Sequence, residues 1–92
     1  MYVDEAVANQ ASGEVRLRGY LIGREGGRTR LCEEMLESFP PQCGGASVLV
    51  EGLDPESIGE LSREEQAFWT NGEIELNGVL DGGVLRVQSR GA

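Results

Sequence analysis

Over residues 14–23, EVRLRGYLIG, side chains alternate between two faces. Val15, Leu17, Gly19 and Leu21 share one face, and Arg16, Arg18, Tyr20 and Ile22 share the other. A period of two with one polar-leaning face predicts a half-buried strand. Gly19 in its middle predicts a bulge or a bend of the kind a small barrel needs, so that one long strand serves two positions in a sheet. Residues 46–53, ASVLVEGL, predict a second strand, with Val48 and Val50 opposite Leu49. The clearest pattern is a hairpin over 73–89. Ile74, Leu76, Gly78 and Leu80 alternate with Glu73, Glu75, Asn77 and Val79; Asp81-Gly82-Gly83 turns the chain; Leu85 and Val87 answer from the return strand.

Two stretches predict helix. Leu31 and Met35, joined by Cys32 and Leu36, stand at helical spacing over 30–38, and Phe39-Pro40-Pro41 ends the run. Asp54-Pro55 reads as an N-cap followed by proline at the first helical position. Ser62-Arg63-Glu64-Glu65 has the capping-box pattern and starts another turn or two through Phe68 and Trp69, before the Asn71-Gly72 turn. The order strand, short helix, strand, helical insertion, hairpin predicts a mainly β protein with short helices. Its architecture would be a small curved antiparallel sheet or a partly open barrel of the OB (oligonucleotide/oligosaccharide-binding) type. An α+β sheet with helices on one face is the alternative. Residues 14–89 form the single globular domain, residues 1–13 read as a flexible segment, and residues 90–92 as a frayed end.

Charge changes this picture by exclusion. The 92 residues carry 16 Asp and Glu against 8 basic side chains, for a net charge of −8. Every basic residue is Arg; there is no Lys and no His. An acidic surface repels phosphate, so nucleic acid is not an expected partner. Without His there is no Ser-His-Asp or Cys-His catalysis and no His-ligated zinc. Without Lys there is no Schiff base and no P-loop lysine. Neither a cofactor nor a metal is expected. No apolar run reaches the ~18 residues that span a bilayer, so direct membrane insertion is not expected either.

The two cysteines, Cys32 and Cys43, are separated by ten residues in LCEEMLESFPPQCGG. This is not the CxxC of a redox or metal hairpin, and a two-Cys, two-carboxylate zinc site is chemically unusual. A short helix reversing through Pro40-Pro41 can bring two cysteines of this spacing to bridging distance. A disulfide there would stabilise a domain of modest core by about 3 kcal/mol. The alternative is two reduced cysteines acting as small core residues. The run Leu31-Cys32, Ser38, Pro40-Pro41-Gln42-Cys43-Gly44-Gly45, followed by the VEGL strand, resembles a small extracytoplasmic domain of high-GC Gram-positive bacteria. That domain occurs in secreted or lipid-anchored proteins of uncharacterised function. The resemblance covers about residues 15–87. It implies a stapled fold, an extracytoplasmic location and a targeting segment outside the 92 residues. It carries no catalytic or binding residues.

Arg16, Arg18 and Tyr20 on the outer face of the first strand, with Trp69, are the candidate ligand or partner face. The competing reading of the arginines is cross-strand pairing with Glu73, Glu75 or Glu51, and that of Trp69 is a core anchor. Glu33, Glu34, Glu37, Glu56, Glu60, Glu64 and Glu65 lack the spacing of a calcium loop and read as a solvated acidic side on the helices. The expectation is a monomeric, non-enzymatic, extracytoplasmic binding module stapled by Cys32 and Cys43, with an unknown protein or small molecule as its partner. A cytoplasmic structural or regulatory subunit with reduced cysteines is the alternative.

Overall fold

The computed structural model describes residues 1–59 and 61–90. Seven strands, β1 (Gly13–Arg24), β2 (Thr29–Leu36), β3 (Gln42–Glu51), β4 (Leu61–Glu64), β5 (Ala67–Thr70), β6 (Ile74–Asp81) and β7 (Val84–Arg90), form one sheet. A helix, α1 (Val3–Ala8), precedes them, and a 3-10 turn spans Pro55–Ser57. Strand β1 pairs antiparallel with β6 over residues 13–19, with β2 over 20–23 and with β5 over 22–24. Because β1 borders both β6 and β2, the strands run β1–β2–β3–β7–β6 and return to β1. The ring is completed by a parallel pairing of Leu49, Val50 and Glu51 with Val84, Leu85 and Arg86. The fold is therefore mainly β, a strongly curved sheet closing into a partly open barrel, with the β4–β5 hairpin continuing from β1.

Inward-pointing Leu17 and Leu21 of β1, Leu31 of β2, Val48 and Val50 of β3, Phe68 of β5, Leu76 and Leu80 of β6 and Leu85 of β7 make the core. The bend expected at Gly19 is where β1 changes partners. A β-carbon on Gly19 would lie 2.6 Å from the Cys32 carbonyl oxygen and 3.0 Å from Val3 Cγ2. Only glycine lets β2 and α1 approach β1 so closely there. Beyond Gly19, β6 has left β1 and β5 has not yet joined it. The Leu21 N–H falls in this gap and donates to the Thr70 Oγ1 at 3.0 Å, so the buried amide is satisfied by a side chain.

Four expectations are corrected. Residues 30–38 are strand, not helix: β2 pairs with β3 from Thr29 to Leu36, with a bulge between Cys32 and Glu34. The bulge breaks the period of two, which leaves Leu31 and Met35 at a misleading helical spacing. The Ser62-Arg63-Glu64-Glu65 run is no capping box. It lies in the β4–β5 hairpin, turned by Glu65 at φ 55° and Gln66. A hairpin turn without Gly or Asn gives little local signal. Glu33, Glu34 and Glu64 consequently do not sit on a helical side: Glu33 and Glu34 are on β2 and Glu64 ends β4, while Glu56 lies in the 3-10 turn. The N-terminal segment is not a loose tail. Met1 and Tyr2 lie along β1, with the Arg18 N–H donating to the Met1 carbonyl at 2.9 Å, and α1 buries Val3 and Ala6 against the barrel. The Tyr2 N–H donates to the Glu5 carboxylate, and Asp4 and Glu5 occupy the first turn, where the helix dipole favours them. Asp54 does cap the Pro55 turn, accepting from the Glu56 N–H at 3.0 Å. Strand β7 reaches Arg90, the first residue of the end expected to fray; residues 91 and 92, like Glu60, lie outside the described residues.

Candidate functional site

Cys32 and Cys43 form a disulfide, with α-carbons 5.6 Å apart. Cys32 lies opposite Ser47 and Cys43 opposite Met35, so a regular ladder would keep the two apart. The bulge brings them together. Two β3 residues, Gly45 and Ala46, face the single Glu33 there, whose carboxylate accepts from the Ala46 N–H at 3.0 Å. Gly45 adopts φ 67°, open to glycine at little cost.

The tip of the β2–β3 hairpin, residues 37–41, is tied down by this bond and forms a short arm. Its Phe39–Pro40 bond is cis, and the Ser38 hydroxyl donates to the Pro40 carbonyl at 2.8 Å. Phe39 meets Trp69 edge to face, with ring centroids 6.0 Å apart. Register places Trp69 beside Ile22, and Ile22 beside Arg30, on the outer side of the sheet. Trp69 is only 6% exposed, so it is an anchor, as its competing reading has it, and not part of an open ligand face. Phe39, 76% exposed, presents the open aromatic surface instead.

Between the arm and the β1–β2 turn lies a cleft of about 480 Å³. Arg24, Arg28 and Arg30 line one part of it, and Phe39, Pro40 and Pro41 another, with Cys43 and Ile22 between. Among the described residues no Asp or Glu lines it. Glu64 and Glu65 line a smaller neighbouring cleft that shares Arg24, Phe39, Pro40 and Ala67 with the first. Arg30 is half-buried and donates to the Ser47 hydroxyl at 3.1 Å. Arg24 and Arg28 are exposed and make no ion pair among the described residues.

The face expected from the sequence is arranged differently. Arg16 Nε donates to Asn77 Oδ1 at 3.1 Å and lies 3.6 Å from Glu75, while Arg18 lies 3.9 Å from the same carboxylate. Both arginines thus pair across β1 and β6. Tyr20 is half-buried beside Cys32. The structure separates Arg16 and Arg18 from Trp69: they flank β6, whereas Trp69 sits on β5 beneath the arm. The residues that line the cleft share no periodic signal: Arg24 ends β1, Arg28 follows the turn after it, and Arg30 lies in β2, where the sequence predicts a helix. Their shared charge between residues 24 and 30 was the available signal.

Among the described residues no helix is long and apolar enough to cross a membrane. Compared with protein-family models, curated proteins and solved structures, the chain matches none.

Proposed function

We propose that this protein is a non-enzymatic binding module of an oxidising, extracytoplasmic compartment, built on an OB-like barrel, and that its ligand enters the cleft between the disulfide-tied arm and the β1–β2 turn. The observation that carries this reading is the cleft itself. Three arginines and one exposed ring line about 480 Å³ on a chain whose net charge is −8. Cavities of this size suit small molecules or a single projecting side chain of a partner. The disulfide supports the compartment, since such bonds persist where thiols are not kept reduced. The lack of His and Lys supports binding over catalysis, because the commonest bases and amine nucleophiles are missing from the sequence.

Chemical-shift mapping against a mixed library of small fragments tests the site. Hits should cluster on Arg24, Arg28, Arg30, Phe39 and Gln42; a library that perturbs none of these removes the cleft as a binding site. Intact mass of natively exported protein, with and without reductant, tests the compartment. Free thiols in the freshly isolated protein would remove the extracytoplasmic reading.

A further inference from the structure

We infer that the ligand of this cleft is a small molecule carrying two or more negative charges, as phosphate or carboxylate, beside an apolar or aromatic part. The inference rests on the cleft being the binding site, as proposed above.

Three observations point to this chemistry. The first is how the arginines are paired. Arg16 and Arg18 flank Glu75, and Arg63 bridges Glu25 and Glu56. A chain with 16 carboxylates has ample supply for pairing. Yet among the described residues Arg24 and Arg28 make no ion pair, as Arg86 outside the cleft makes none, and the hydrogen bond given for Arg30 is to the neutral Ser47 hydroxyl, which leaves three arginine charges uncompensated together in the cleft. Each guanidinium offers a planar fork of donors that matches the oxygens of a carboxylate or a phosphate.

The second is the wall facing them. Phe39, Pro40, Pro41 and Ile22 are rigid or apolar and offer no charge. A bare inorganic anion would leave this wall against water, whereas a ring or short chain attached to the anion would cover it. The third is selectivity by contrast. With screening over about 8 Å at physiological salt, an anion in the cleft feels its three lining arginines most strongly, against a smaller opposing contribution from Glu64 and Glu65 of the neighbouring cleft. Elsewhere the acidic surface repels it.

The test uses the oxidised full chain, followed by amide and arginine Nε–H shifts and by calorimetry. The probes are phenyl phosphate, pyrophosphate, phthalate and two uncharged or cationic arenes, benzamide and benzamidine. Phenyl phosphate and phthalate should saturate the cleft, shifting Arg24, Arg28, Arg30 and Phe39, and their affinity should fall roughly tenfold between about 20 and about 200 mM salt. The phosphate and carboxylate series together tell which anion is preferred. Arg24→Ala and Arg28→Ala should each weaken binding about tenfold, as expected for one lost charge-assisted contact. Arg86→Ala, on exposed β7 outside the cleft, should not. Thermal midpoints of all three variants should match the parent, since these side chains are exposed. If benzamide or benzamidine fills the cleft and the anions do not, the ligand class is wrong while the site stands. If the anions bind but Arg24→Ala and Arg28→Ala leave their affinity unchanged, the anions sit elsewhere and the inference falls. If no probe of any charge reaches the cleft, the inference and the proposed binding site fall together.

Discussion

Removing the Cys32–Cys43 bond should both loosen the fold and uncover Trp69. The two cysteines are 11 apart in sequence, and closing a loop of that length stabilises the folded state by about 3 kcal/mol in the chain-entropy account. For a domain of this size that corresponds to a drop of roughly 12–24 °C in thermal midpoint. A second, local effect should accompany it. The bond holds the arm that brings Phe39 against Trp69, and an edge-to-face pair of this kind contributes only about 1 kcal/mol. Such a contact does not by itself hold the five arm residues, four of them exposed, in one arrangement against their conformational entropy. Trp69 is the single tryptophan, so the tryptophan emission comes from this one site beneath the arm. The comparison is between the parent and Cys32→Ala/Cys43→Ala, by circular dichroism on heating and by fluorescence below the transition. The expected result is a large loss of midpoint with a red-shifted, more quenchable emission in the still-folded variant. A midpoint within about 3 °C of the parent would refute the loop-entropy argument. An unchanged emission would show that packing, not the disulfide, keeps the arm in place.

Gly19→Ala places a methyl group 2.6 Å from the Cys32 carbonyl oxygen; the forced separation of β1 and β2 should cost about 1–3 kcal/mol in urea denaturation, and a neutral outcome would mean that β2 can slide away freely. Thr70→Val should cost about 1–3 kcal/mol by stranding the buried Leu21 N–H, while Thr70→Ser restores most of it; equal losses in both would assign the effect to packing. Deleting residues 1–9 removes the fully buried Val3 together with Ala6, and should cost at least about 2 kcal/mol and raise protease susceptibility. Unchanged stability on that deletion would return the segment to the status of a tail.

What the sequence determined by itself is local and periodic. Strand β1 and the β6–β7 hairpin are legible because buried positions alternate with less buried ones along β1 and β6, and because Gly82-Gly83 closes the hairpin in place. Asp54-Pro55 announces its turn for an equally local reason: the cap and the amide it satisfies are two residues apart. Cysteine spacing pointed to the disulfide. The elements that depend on distant partners were not legible. Helix α1 has six residues, too few to persist without the barrel groove that takes Val3 and Ala6. In β2, Leu31 and Cys32 are both buried although they point to opposite faces, because Leu31 enters the core and Cys32 is bonded to Cys43 beside Tyr20. The cleft is the extreme case. Arg24, Arg28, Arg30 and Phe39 share it only because a bulge and a disulfide fold the hairpin tip over the outer side of the sheet. Charge and composition excluded chemistry along the whole chain, but which charges remain uncompensated in one cleft was decided by tertiary contacts that put Arg16, Arg18 and Arg63 beside carboxylates and left Arg24 and Arg28 without them.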